Sequence, residues 1–159
     1  MNRTVTIAPV RKEVRVRANQ RHAFDTFTAG LDRWWPKTHH VGASPPRESV
    51  LECRLGGRWL ERAGDGVETQ VGTVLAWEPP ARFVLAWQIN PQWKADQTVA
   101  SEIEVQFIAE GEHTTLVKLE HRKFEALGAE GGASMRKDVD GGWPTLLGLF
   151  VAEAERAGG

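Results

Sequence analysis

The stretch that most constrains this chain lies near its end. In residues 141–154, Trp143, Leu146, Leu147, Phe150 and Ala154 recur at steps of three and four. That spacing is the stripe of a helix with one face in a core. A helix with so large an aromatic and aliphatic face needs a partner layer to cover it. The residues before it supply one, because Glu48 to Arg122 reads as short strands joined by tight turns. The expected fold class is therefore α+β: a curved antiparallel sheet of about seven strands wrapped around a long C-terminal helix.

In chain order, Val10, Lys12, Val14 and Val16 alternate with Arg11, Glu13, Arg15 and Arg17, the period of a strand with one buried face. Met1 to Pro9 ahead of it reads as a loose or edge segment. Asn19 is a suitable N-cap for a short helix from Gln20 to Thr28, with Ala23, Phe24 and Phe27 on its apolar side. Gly30 interrupts it, Leu31 to Trp35 makes one more turn, and Pro36 stops that turn. Lys37 to Arg47 reads as a loop. Glu48–Arg54 and Arg58–Ala63 read as strands around a turn at Leu55-Gly56-Gly57, and Gly64-Asp65-Gly66 is a hairpin signal. Val67 to Trp77 is a longer strand in which Gly72 marks a bulge or a close backbone approach. Glu78-Pro79-Pro80-Ala81 turns the chain into a strand from Arg82 to Ile89. Thr98–Glu110 and His113–Arg122 alternate cleanly, with Thr115, Val117, Leu119 and His121 on one face. Phe124 to Ser134, rich in Gly and Ala, reads as a mobile crossing loop, with Ser134 as N-cap of the last helix. Gly141-Gly142 and Pro144 predict a kink near Asp140–Trp143, or a restart with Pro144 in the first turn. The chain reads as a single domain over residues 1–159.

Composition narrows the function. Seven Trp and six Phe with no Tyr supply ring area almost without polar tips, which suits a filled core or an apolar cavity. A net charge of −1 gives no global attraction for nucleic acid or acidic membrane. Residues 1–62 carry 12 Lys/Arg against 6 Asp/Glu, leaving 8 against 15 for the rest, so pairing of the two halves in one sheet is expected. Cys53 is the sole cysteine, which excludes an internal disulfide and fits a reducing cytoplasm. No apolar run is long enough for a membrane span, and no signal-peptide pattern opens the chain.

Certain motifs, taken together and in order, carry a resemblance. They are Trp34-Trp35-Pro36, Gly56-Gly57-Arg58-Trp59, and Gly72-Thr73-Val74 running into Glu78-Pro79-Pro80-Ala81-Arg82. They continue with Val84-Leu85-Ala86-Trp87, Thr115-Leu116-Val117-Lys118-Leu119-Glu120-His121 and Gly142-Trp143-Pro144-Thr145-Leu146-Leu147. From Val10 to Glu155 the chain resembles the START-like (SRPBCC, helix-grip) superfamily, and within it the heat-shock-chaperone ATPase-activator-like family. The resemblance implies a pocket between sheet and C-terminal helix, where relatives bind lipids, sterols, polyketides or plant hormones and some act as cyclases or aromatases. The eukaryotic activators of this kind stimulate a chaperone ATPase with an additional N-terminal domain, for which this chain has no room.

No nucleophile elbow, zinc-protease helix, redox dicysteine or phosphate loop is present. His39 and His40 are adjacent, so on a strand they point apart, and no acidic or cysteine partner stands at ligand spacing; neither a metal nor a cofactor is expected. Glu61 shares strand parity with Trp59, and His121 extends an inward face. A Glu–His pair inside a pocket is the minimal set for enolisation, cyclisation or dehydration, which makes Glu61 and His121 the catalytic candidates. The bland alternatives are an arginine salt bridge for Glu61 at the sheet rim and a hydrogen-bonded strand end for His121. The candidate ligand wall comprises Trp34, Trp35, Trp59, Glu61, Trp87, Val105, Leu119, His121, Phe124, Trp143 and Leu147. Trp93, on a polar loop, reads as a lid over the pocket mouth or an interface residue. The leading expectation is a carrier or sensor of a small hydrophobic or aromatic molecule. The alternatives are a polyketide-cyclase-like enzyme and a chaperone-regulating or other protein-interaction module, with a protein partner or a second copy of the chain.

Overall fold

The computed structural model describes residues 6–42 and 46–156. Its elements, in order, are β1 Val10–Val16, α1 Gln20–Phe27, α2 Leu31–Trp34, β2 Pro46–Leu51, β3 Arg58–Ala63 and β4 Glu68–Glu78. They continue with β5 Arg82–Trp87, β6 Ser101–Ala109, β7 Thr115–Arg122, a single 3-10 turn at Phe124–Leu127, and α3 Ala129–Arg156. The seven strands form one sheet in the order β1-β7-β6-β5-β4-β3-β2, and every neighbouring pair is antiparallel. The helix-grip architecture is thus present: a curled sheet closes around α3, with α1 and α2 capping one side.

Local chemistry sets the boundaries. Asn19 accepts from the His22 amide at 2.7 Å, the cap expected for α1. Gly66, at φ +88°, closes the β3–β4 hairpin, where the Ala63 and Val67 backbones bond across at 2.9 Å. Gly72 fulfils both expectations for it. Trp59 pairs with Gly72 but Leu60 pairs with Gln70, so Val71 is the extra residue of a bulge. A side chain at Gly72 would lie 2.4 Å from the Ala86 carbonyl oxygen.

The approach to α3 differs from expectation. Phe124 to Ser134 is not a mobile loop: Phe124 and Leu127 are buried in the 3-10 turn, and α3 begins at Ala129. Ser134 therefore sits inside the helix instead of capping it. The glycines here serve close packing, since a Cβ on Gly132 would fall 2.2 Å from the Phe124 carbonyl oxygen. The helix runs without a restart through Gly141, Gly142 and Pro144. Pro144 lies on the exposed side of the helix and removes one backbone donor from its ladder. β2 also starts earlier than expected, at Pro46; residues 43–45 of the preceding loop and 1–5 of the N-terminal segment lie outside the described residues.

The core divides into two aromatic regions. In one, Phe24 meets Phe83 and Phe107 with ring centroids 5.9 and 5.2 Å apart, and Phe27 meets Phe150 at 4.9 Å. The other is built of tryptophans and is less completely filled.

Candidate functional site

A cavity of about 240 Å³ lies among the tryptophans. Trp59 of β3, Val71 of β4 and Trp87 of β5 form its sheet wall, and Val139, Gly142, Trp143 and Leu146 form its helix wall. Trp35 closes one end, and Trp93, on the loop between β5 and β6, lines the cavity from another side. The rings meet in succession: Trp35–Trp59 at 5.3 Å, Trp59–Trp87 at 5.6 Å, Trp87–Trp93 at 6.1 Å and Trp87–Trp143 at 6.4 Å. Two of these contacts, Trp35–Trp59 and Trp87–Trp93, are edge-on, a favoured geometry for aromatic pairs that leaves ring faces for other contacts, and the other two are tilted. A second void of only about 10 Å³ touches Trp35, Trp59 and Trp143 and reaches Phe83 and Ile103. Trp93 has a left-handed backbone at φ +60°, and its indole N–H donates to Asp138 of α3 at 3.4 Å.

Of the six hydroxyl, imidazole and carboxylate side chains of the cavity, three come from the loop after α2. Trp35 donates its indole N–H to the His39 carbonyl at 3.2 Å, which folds that loop back over the ring. Glu61, buried on β3, accepts the amide hydrogens of Val41 and Gly42, each at 2.8 Å. The carboxylate therefore clamps the loop instead of pairing with an arginine; its neighbour Arg62 pairs with Glu48 and Glu68. Thr38, His39 and His40 of this loop all line the cavity, as do Ser49 and Asp138. Trp87 Nε1 is the one buried side-chain polar atom without a partner among the described residues.

His121 does other work. It is fully buried and does not line the cavity. Trp143 Nε1 donates to its Nδ1 at 3.2 Å, and Ser101 Oγ lies 2.8 Å from its Nε2. An indole nitrogen can only donate, so Nδ1 is the acceptor and Nε2 carries the proton, which it gives to Ser101. Burial pushes the imidazole down to about 3, so it stays neutral. His121 thereby fastens β7 to α3 through Trp143, the first residue of the apolar stripe.

The family model of the activator of Hsp90 ATPase homolog 1-like proteins matches residues 17–155. The chain belongs to that family. Among solved structures, this family member is similar to the anthrahydroquino-γ-pyrone synthase Txn09, with 36% identity and a TM-score of 0.58 over 82% of this chain and 84% of that one. It is similar also to CalC, a self-sacrificing resistance protein from Micromonospora echinospora, with 32% identity and a TM-score of 0.72 over 94% and 96% of the two chains. Protein NE0264 from Nitrosomonas europaea shares the fold at 10% identity, with a TM-score of 0.65 over 94% and 95% of the two chains. No curated protein sequence matches the chain at a significant level.

In this family member, five of the residues expected in the ligand wall line the cavity: Trp35, Trp59, Glu61, Trp87 and Trp143. Six do not. Trp34, Val105, Leu119, His121, Phe124 and Leu147 are buried in the core beside it. Trp34 packs on Phe27 and Phe150 and donates to the Thr26 carbonyl, and Phe124 packs on the His121 ring at 4.6 Å. Strand parity says which face a residue occupies, but not where along that face the space is. Glu61 and His121 illustrate this, since the cavity reaches one and not the other. Sequence reasoning passed over the loop residues Thr38, His39, His40 and Val41. Val139, four residues before Trp143, and Leu146, three after it, were by contrast within reach of that pattern. Among the described residues no group of three or more His, Cys, Asp or Glu side chains is placed to hold a metal, and no helix is long and apolar enough to cross a membrane.

Proposed function

We propose that this chain binds a flat, mostly apolar ring compound in the tryptophan cavity. The observation that carries the reading is the wall itself: Trp35, Trp59, Trp87, Trp93 and Trp143 surround about 240 Å³, with Thr38, His39 and His40 gathered on one loop beside them. Ring faces bury large apolar area against a planar guest, at roughly 25 cal/mol per Å² removed from water. The volume lies just under the roughly 300–1,000 Å³ of sites for drug-sized ligands. The guest is accordingly a small fused-ring system, or one end of a longer molecule whose remainder sits at the mouth. Trp87 Nε1, buried without a partner, favours a guest bearing an acceptor oxygen such as a quinone carbonyl. Similarity to an anthrahydroquino-γ-pyrone synthase supports the same class of compound.

The test is a titration with alizarin, a planar hydroxyanthraquinone, followed by quenching of tryptophan fluorescence. Saturable quenching is expected, and Val71→Phe, which fills the sheet wall, is expected to abolish it while leaving the far-ultraviolet circular dichroism intact. Equal binding by the filled variant would sink the proposal. A second reading, an enzyme acting on such a compound, is favoured by the 36% identity to a synthase. In that reading the chemistry belongs to the polar loop, because Glu61 is committed to two backbone amides and His121 lies outside the cavity.

A further inference from the structure

His39 and His40 differ in one respect that geometry makes plain. Nδ1 of His40 lies 3.1 Å from the Gly42 carbonyl oxygen. A carbonyl can only accept, so that nitrogen carries the ring proton and Nε2 of the neutral ring is a free base. Gly42 is itself held in place, since its amide donates to Glu61 at 2.8 Å. Glu61 thus anchors the residue whose carbonyl orients His40, linking a buried strand through Gly42 to an imidazole that lines the cavity. His39 has no such constraint: its Nδ1 faces the Thr38 hydroxyl at 3.3 Å, which can donate or accept.

Resting on the cavity reading above, we propose that His40 is the proton acceptor of this site, taking the proton of an acidic hydroxyl on the bound ring compound, with Glu61 as its positioning residue. In that step the O–H bond of a phenol or enol breaks and its electron pair stays on oxygen. The proton goes to His40 Nε2, and the resulting imidazolium faces the resulting oxyanion. An oxygen so ionised is the nucleophile that closure of an oxygen heterocycle requires, which ties the site to hydroxylated, ring-closing aromatic compounds. The other titratable side chains lining the cavity are His39, Glu61 and Asp138. Lys37, the remaining charged group of the loop, pairs with Asp32. The two carboxylates oppose ionisation of the guest, so among the titratable side chains only the histidines favour it from the cavity wall.

Alizarin tests this directly, because its neutral form is yellow and its ionised form red-violet. Binding is read by tryptophan quenching, and ionisation of the bound probe by its visible spectrum across a pH series. Bound to the unaltered chain, the probe is expected to ionise about 1 pH unit or more below its free value. His39→Gln is expected to keep that shift. His40→Asn, whose amide still donates to the Gly42 carbonyl, is expected to bind the probe and lose the shift. Glu61→Gln is expected to weaken the shift without removing His40. Binding without a shift in the unaltered chain, or a shift that survives His40→Asn, overturns the role of His40 and leaves the cavity reading standing. Absence of saturable quenching overturns the cavity reading and His40's role with it.

Discussion

His121 is the residue whose environment has the clearest thermodynamic consequence. Folded, it stays neutral down to a pH of about 3, whereas an unfolded histidine takes its proton near pH ~6.5. Between those values the unfolded chain binds the extra proton, so stability falls as pH falls, by about 1.4 kcal/mol per pH unit. It is fully present above about pH 6.5. From there down to about pH 5.5 the carboxylates add little, so urea unfolding over that window isolates the histidine. His121→Gln is expected to flatten the pH dependence there; an unchanged slope would remove His121 as its cause. His121→Phe removes the acceptor for Trp143 and the donor to Ser101, and leaving two buried groups unsatisfied should cost about 2–4 kcal/mol. Gly72 is equally exacting. Its added Cβ would meet the Ala86 carbonyl oxygen at 2.4 Å and the Trp59 ring at 3.0 Å, and the first of these is backbone in the neighbouring strand. Gly72→Ala should therefore lower stability by about 1–3 kcal/mol in thermal unfolding.

At the scale of elements, α3 carries more helix breakers than its packing needs. Gly141 and Gly148 have open space where a side chain would stand, and Pro144 is exposed. Replacing either glycine by Ala should raise stability by about 1 kcal/mol, and Pro144→Ala by up to about 3 kcal/mol. Gly142 separates stability from function because it also lines the cavity. Gly142→Ala is expected to raise the melting temperature yet weaken quenching by alizarin; tighter binding by this variant would contradict the placement of the guest against the helix wall. The apolar stripe of this helix was legible from residue spacing alone, and so was the run of strands it lies on. Its start was not. The small residues between Phe124 and Ser134 resemble a flexible connection in sequence, and only their contacts show that Gly132 is small because the Phe124 backbone presses on it.

For the whole molecule, the uneven charge of the two halves is largely resolved by folding. Arg11–Glu120, Lys12–Asp140, Arg15–Glu110 and Arg17–Glu155 join the basic first half to the acidic second. The arginine side chains are 64–86% exposed, so these pairs contribute little and are screened by salt. Raising salt to about 1 M should shift the urea midpoint only slightly, because apolar burial provides most of the stability. One cluster of buried residues runs from Val10 to Ala154 and takes in every strand and helix except β2's outer end. Tryptophan fluorescence and circular dichroism should therefore report a single coincident unfolding transition. Two separated transitions would argue against one folding unit.

Sequence by itself determined the alternation of the strands, the apolar face of the last helix and the aromatic character of the interior. Those properties depend on which residues recur at a fixed spacing, and spacing is local. Tertiary structure decided where the interior is left open. Phenylalanines from α1, β5, β6 and α3 close one end, while tryptophans too large to interlock fully leave a cavity at the other. It also decided that Glu61 holds a loop, that His121 holds a helix and that His40, unremarkable beside its twin in the sequence, faces the cavity with a fixed proton. Each of those roles depends on a partner distant in the chain or on a loop conformation, and neither is written in a residue's spacing.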